Sequence, residues 1–161
     1  MSIRYITTTA LLASIIALSG SLKVPGILPG TEFQLSAPIA VAICAVYGFR
    51  QYFLAGVLAS SISLILGTQT VFNIAIALLF RLTVGLVMVL GGTSFLPVVL
   101  AGPLGSFIAR LSLVFIMEQA AWAVILSAVP GMIYTALAAW PLTVALRKIT
   151  EKAERGVSRA L

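Results

Sequence analysis

A mostly apolar run of twenty residues, interrupted by a central arginine, constrains the fold of this chain more than any other feature. The run, Val71–Leu90, reads VFNIAIALLFRLTVGLVMVL, and a helical bilayer crossing requires roughly 20 residues. Arg81 stands at its middle and Asn73 near its start. A guanidinium at that depth costs on the order of 3 kcal/mol even on a lenient insertion scale. We therefore expect Arg81 to face other protein, a partner or an aqueous cavity rather than lipid.

The composition of the whole chain indicates an integral membrane protein. Its 161 residues are 61% hydrophobic and 9% charged, with a mean hydropathy of +1.17. A soluble domain of this size cannot bury so much apolar surface. The net charge of +6 does not indicate a nucleic-acid partner, because five of the ten Lys and Arg residues lie in the C-terminal segment 147–161. Such clustering is typical of a cytoplasmic membrane flank, and we expect a single transmembrane domain over residues 1–161.

The residue types that usually carry catalysis and metal binding are scarce. The chain has no histidine, its only cysteine is Cys44, and its four acidic residues are scattered. Because histidine is the commonest ligand of zinc and haem, its absence argues against such sites. A Ser-His-Asp constellation is impossible for the same reason. No Walker sequence is present, so this chain is not expected to hydrolyse a nucleotide. We expect no enzymatic activity, no metal and no cofactor.

Six hydrophobic segments predict an all-α integral membrane fold, namely a bundle of six transmembrane helices. Pro-Gly pairs punctuate the segment Lys23–Gln34, which predicts a loop that caps the outer face between helices one and two. Pro130 and Pro141 predict a kink in the last helix. The predicted helices span approximately residues 5–22, 33–47, 52–66, 71–90, 95–117 and 120–146, followed by a basic tail at 147–161.

The distribution of positive charge predicts the orientation in the membrane. Arg4, Arg50 and the tail 147–161 fall on one side of an even number of crossings, and an excess of Lys and Arg marks the cytoplasmic side. Only Lys23 falls on the opposite side. We therefore predict a multi-pass protein of the cell membrane with both termini in the cytoplasm.

Most of the remaining polar side chains are predicted to collect in the outer half of helices four to six, beneath the loop. Two arginines against few acids favour a carboxylate-bearing ligand, held by a bidentate guanidinium. Trp122 or Tyr134 is a candidate to cover a ring of that ligand. The alternative is a structural network in which an arginine pairs with Glu32 or Glu118. The candidate substrate-binding residues are Gln69, Asn73, Arg81, Arg110, Glu118, Gln119, Trp122 and Tyr134, with Glu32 and Gln34 beside the loop.

Small residues recur at helical spacing in the first predicted helix. They are Thr7, Ala10, Ala13, Ser14, Ala17 and Ser21. Small side chains let two helix backbones approach closely in lipid. Two interpretations stay open: packing within this chain, or docking onto a separate membrane subunit.

Nearly the whole chain resembles the substrate-binding (S) component of an energy-coupling factor (ECF) transporter. The resemblance rests on the six predicted crossings, the cytoplasmic termini, the small residues of the first helix and the capping loop. The first helix of that family carries an AxxxA pattern, and Ala13–Ala17 matches it, with Ala10 one turn earlier. The segments GTEFQLSAPIAVAI and VPGMIYTALAAWPLTVALRKI are also similar to tryptophan-transporter relatives of the group. The PN-and-aspartate pattern of their central helix is not reproduced around Asn73–Arg81.

This resemblance implies a mechanism of vitamin or micronutrient uptake. An S component captures its substrate at the outer face and topples in the bilayer against a transmembrane coupling subunit, while two partner ATPases use ATP to drive release inside. The residues that correspond to the docking site are Ala10, Ala13 and Ala17, and the lid corresponds to Lys23–Gln34. Two alternatives are a ligand-free scaffold that resembles the rod-shape protein MreD, and a solitary carrier of a tryptophan-like solute.

Overall fold

The computed structural model describes residues 2–25, 32–34, 36–117 and 121–160, and the side chains of residues 2–22, 36–112 and 125–156. Within these ranges the chain forms six helices and one antiparallel pair of short strands. The helices are α1 (Ile3–Ser21), α2 (Ser36–Tyr47), α3 (Phe49–Ile65), α4 (Val71–Gly91), α5 (Phe95–Met117) and α6 (Ala121–Ala160). The strands are β1 (Lys23–Pro25) and β2 (Glu32–Gln34). The predicted helical class is confirmed, and the strand pair within the predicted loop was not foreseen.

Four segments are long and apolar enough to cross a membrane. They are Ile3–Ser21, Val71–Gly91, Phe95–Ser112 and Ile125–Gly156, whereas α2 and α3 are shorter apolar helices. The chain is therefore a multi-pass membrane protein, and the count of six crossings stays a prediction. Gly48 separates α2 from α3 with a φ of 81°, a conformation that favours glycine over other residues.

Local signals fix the ends of the central helix. The Thr70 side chain accepts a hydrogen bond from the backbone N–H of Asn73 at 3.3 Å, which satisfies one of the free donors of the first turn of α4. Gly92 ends the helix with a φ of 76°, as glycine commonly does. The last helix passes through Pro130 and Pro141 and continues to Ala160. Much of the predicted basic tail is therefore helical, and the kink stays a prediction.

The start of α1 and the basic part of α6 lie at one end of the bundle, which we call the inner end. Three contacts between distant residues hold it together: Arg4 to Glu154 at 3.3 Å, the Tyr47 hydroxyl to the Thr150 hydroxyl at 3.0 Å, and Arg147 donating to the Thr93 carbonyl at 2.8 Å. The start of α1, the α2–α3 link, the α4–α5 link and the basic part of α6 thus share this end. The arrangement agrees with the predicted placement of the basic segments on one side.

The opposite end of the bundle, the outer end, brings together the end of α1, the start of α2 and the α3–α4 turn. A methyl group on Gly20 would lie 3.8 Å from Gln69 Nε2 and 4.0 Å from the Ser36 side chain. Strand β2 contacts both α1 and α6. The two strands of the predicted capping loop therefore lie at this end, and its residues 26–31 fall outside the described residues.

The interior is filled by small and branched side chains from several helices, and it changes the interpretation of α1. Ala13 is 2% exposed and belongs to the core cluster with Leu12 and Ile16. Its side chain therefore packs within the chain, the first of the two interpretations that the sequence leaves open, and the role of α1 in docking stays a prediction. Ala17 is half-buried against the same core, whereas Ala10 is exposed.

The orientation can be tested by labelling single cysteines in cells. In a Cys44→Ala background, we expect Thr68→Cys to react with a membrane-impermeant maleimide from outside, because Thr68 is exposed at the outer end. Ser2→Cys and Arg155→Cys should react only after permeabilisation. Labelling of the two terminal cysteines in intact cells would contradict cytoplasmic termini.

Candidate functional site

A cavity of about 360 Å³ extends from the outer end toward the middle of the bundle, and all six helices contribute to its wall. Its size falls in the range of small-molecule sites, roughly 300–1,000 Å³. Apolar side chains such as Ile16, Ile76 and Phe80 line part of it. Such a wall can pack against the apolar part of a small ligand.

The structure brings together the predicted site residues whose side chains it describes. Gln69, Asn73, Arg81, Arg110 and Tyr134 all line this one cavity, although they come from the α3–α4 turn and from three helices. Their role in binding stays a prediction. The other predicted residues cannot be placed: Glu118 and Gln119 lie outside the described residues, as do the side chains of Glu32, Gln34 and Trp122.

Arg81 is held in place by helix α3. One of its terminal nitrogens donates a hydrogen bond to Ser60 Oγ at 2.9 Å, and the residue is only 6% exposed. The guanidinium also lies directly against Gly56, where a Cβ atom would overlap Nε, Cδ and Cζ of the arginine. Glycine at position 56 therefore makes room for the charged group at the centre of α4.

The described part of the cavity wall carries positive charge and no carboxylate. Arg81 and Arg110 both line it, and the ion pair found among the described residues joins Arg4 to Glu154 at the inner end. Pairing of the arginines with Glu32 or Glu118 involves side chains outside the described ranges and stays an open alternative. A low-dielectric cleft lined by charge of one sign attracts ions of the opposite sign. The described wall thus favours an anionic guest.

Sequence reasoning missed three residues around Arg81. Tyr52, Gly56 and Ser60 follow one another at intervals of four residues in α3, which places them on one helix face. Tyr52 is completely buried, and its hydroxyl has no hydrogen-bond partner among the described residues. The four-residue spacing of a glycine and two hydroxyl-bearing residues was the available signal.

The chemistry of the cavity is that of binding. The guanidinium groups can form paired hydrogen bonds to a carboxylate, and amide and hydroxyl groups of Gln69, Asn73 and Tyr134 can fix its orientation. No group of three or more metal-ligating side chains occurs within the described ranges. No residue set for a cofactor emerges from the same part of the chain.

Comparison with known proteins gives one informative relative. The chain is 49% identical over 143 residues to Protein BioX of Lysinibacillus sphaericus, a match that covers 89% of this chain and 86% of the relative. No protein-family model matches the chain, and no solved structure matches it.

The close approach of Gly56 and Arg81 can be tested by adding a single methyl group. Gly56→Ala should lower the free energy of unfolding by about 1–3 kcal/mol, because overpacking forces the guanidinium or the α3 backbone to move. Gly156→Ala is the matched control, since nothing lies within 4 Å of the added methyl and alanine favours a helix by up to about 1 kcal/mol. The measurement is thermal unfolding of both purified variants in the same detergent. Equal stability of the two variants would contradict the tight fit at Gly56.

Proposed function

This chain belongs to the BioX family, and we propose that it is the membrane-embedded substrate-capture subunit of an ATP-driven importer of the ECF type. Its substrate is a small micronutrient that carries a carboxylate, such as a vitamin, a vitamin precursor or an amino-acid-like compound. The ATPases and the coupling subunit are separate partners, and this chain itself neither uses ATP nor catalyses a reaction.

The observation that carries the proposal is the cavity with its two arginines. It extends from the outer end, opposite both termini, and its described wall contains Arg81 and Arg110 but no acid. Keeping a guanidinium within a membrane protein is costly unless a partner compensates it. A carboxylate on the ligand supplies that compensation and gains charge-assisted hydrogen bonds in return.

Capture follows from the arrangement of the cavity. A solute enters at the outer end, where β1 and β2 lie, and its carboxylate moves toward Arg81 in the middle of the bundle. The hydrogen bond from Ser60 and the contact with Gly56 hold the guanidinium in one position, which reduces the ordering cost of binding. Apolar side chains such as Ile76 and Phe80 cover the rest of the ligand.

Docking to the coupling subunit is assigned to the exposed side of α1. Thr7, Ala10, Ser14 and Ser21 are exposed and follow one another at spacings of three, four and seven residues, so they share one face of the helix. Small side chains there permit the close helix approach on which association in lipid depends. Half-buried Ala17 borders this face, and the inward-facing Ala13 does not contribute to it.

The two alternatives differ from this proposal in measurable ways. An MreD-like scaffold has no need of a cavity with buried arginines, and it would retain no solute when purified. A solitary carrier would maintain uptake in cells that lack every ECF ATPase. Mass spectrometry of small molecules that co-purify with the chain, together with its partner proteins, separates the three.

Removing the central positive charge should remove ligand binding. We expect Arg81→Gln to weaken binding by roughly 10- to 100-fold, because a hydrogen bond to a charged group contributes about 1.5–3 kcal/mol. The measurement is ligand-induced thermal stabilisation and equilibrium binding with biotin, lipoate, nicotinate and pantothenate, four carboxylate-bearing vitamins. Arg50→Gln is the matched control, since Arg50 is exposed and outside the cavity. Binding by Arg81→Gln within twofold of the wild type would reject Arg81 as a contact.

Adding bulk to the exposed face of α1 should separate capture from uptake. We expect Ala10→Leu combined with Ser14→Leu to leave ligand binding unchanged but to abolish ATP-dependent uptake, because leucine prevents close helix approach. The matched control is Ala75→Leu combined with Ser61→Leu, which makes the same two changes at exposed positions of α4 and α3. The measurements are ligand affinity of the purified chain and uptake of the same ligand in cells. Normal uptake by the α1 variant would contradict docking through this face.

A further inference from the structure

The buried polar atoms that lack a partner point to how the ligand lies in the cavity. Among the described side chains, two buried polar atoms make no hydrogen bond: the Tyr52 hydroxyl and Gln69 Oε1. Both residues line the same cavity. Unsatisfied buried polar groups are rare in folded proteins and call for a specific explanation. The two atoms belong to residues of one cavity wall, and both are explained together if the bound ligand contacts them.

These two atoms differ in chemistry. A tyrosine hydroxyl can donate a hydrogen bond, whereas the carbonyl oxygen of a glutamine side chain can only accept one. Tyr52 therefore suits an acceptor such as a carboxylate, and Gln69 Oε1 suits an N–H or O–H donor. A ligand that satisfies both must carry two different polar groups.

The two residues also lie at different depths. Helix α3 begins at the inner end, and Tyr52 lies one turn before Gly56, the residue against which Arg81 packs. The backbone N–H of Gln69 donates to the Ser63 carbonyl at 3.3 Å, near the outer end of α3. Tyr52 and Ser63 are separated by eleven positions, which correspond to about 16 Å along a helix axis. Tyr52, which supplies the donor, thus lies at the deeper level of α3, one turn from the residue that contacts Arg81. Gln69, which supplies the acceptor, follows the outer end of the same helix.

We propose that the ligand binds with its carboxylate toward the inner end, where the Tyr52 hydroxyl donates to it beside Arg81, and with an N–H or O–H donor toward the outer end, where Gln69 Oε1 accepts. This inference rests on the proposed function, and it adds Tyr52 as a contact and defines the substrate class. The substrate is an elongated molecule with a carboxylate at one end and an uncharged hydrogen-bond donor at the other.

Removal of one oxygen atom tests the deep contact. Tyr52→Phe should weaken binding of biotin by about tenfold, because it deletes the hydrogen bond to the charged carboxylate. The same change should leave the unfolding temperature of the ligand-free chain unchanged or higher, because it removes a buried hydroxyl that has no hydrogen-bond partner in the described part of the chain. Tyr47→Phe is the matched control, since the Tyr47 hydroxyl bonds Thr150 at the inner end. It should leave biotin affinity unchanged.

A matched pair of probes tests the outer contact. Biotin and lipoate share a pentanoate chain, but only the ring of biotin carries N–H donors. Gln69→Leu should weaken biotin binding several-fold and leave lipoate binding unchanged, and biotin methyl ester should bind the wild type much more weakly than biotin does.

The outcomes separate this inference from the function on which it rests. If biotin binds and requires Arg81, but Tyr52→Phe and Gln69→Leu bind it as the wild type does, the orientation is wrong and the carboxylate site stands. Lower stability of ligand-free Tyr52→Phe with unchanged affinity would likewise assign Tyr52 a structural role and overturn the inference. If none of biotin, lipoate, nicotinate and pantothenate binds the wild type, or the ester binds as tightly as the acid, the proposed carboxylate capture fails as well.

Discussion

The arrangement of this bundle depends on the accommodation of one guanidinium at the middle of a membrane-spanning helix. Arg81 cannot face lipid without a large penalty, and the structure places it at 6% exposure beside Gly56 and Ser60. The absence of a side chain at Gly56 lets α3 and α4 accept the bulky group between them. A single residue type at position 56 thus permits the positive charge that defines the cavity.

The two ends of the bundle are built differently. At the inner end, side chains form hydrogen bonds with partners distant in sequence. The Tyr47 hydroxyl bonds the Thr150 hydroxyl between α2 and α6, and Arg147 donates to the backbone carbonyl of Thr93 in the α4–α5 link. Toward the outer end, described polar side chains converge on the cavity instead. The hydrogen bonds between distant segments therefore lie at the inner end, and the cavity opens toward the outer end. A solute can enter such a cavity without disrupting the contacts at the inner end.

The sequence predicted the helices well because bilayer length and Gly or Pro punctuation are strong local signals. The predicted bounds 71–90 differ by one residue from α4 (Val71–Gly91), whereas the last helix was predicted to end at residue 146 and continues to Ala160. The central position of Arg81 in α4 followed directly from its place in that run. It was also predictable that several polar residues would lie near one cavity, because the alternating direction of successive helices sets the depth of each residue in the bundle. These residues are Gln69, Asn73, Arg81, Arg110 and Tyr134. The depth of a residue does not determine how its helix is rotated about the helix axis.

The features that the sequence did not predict depend on the rotation of each helix about its axis. Small residues occupy both sides of α1, so spacing alone could not distinguish buried Ala13 from exposed Ala10. For the same reason, Gly56 looked like an ordinary small residue in a membrane helix until packing placed Arg81 against it. The Tyr52 hydroxyl is the clearest case, because a tyrosine near a helix start suggests an interface anchor. Only the packed structure shows that it is completely buried, that it has no hydrogen-bond partner among the described side chains, and that Tyr52 belongs to the cavity wall. Depth therefore identifies which polar residues share a level of the bundle, and packing decides which of them belong to the cavity wall.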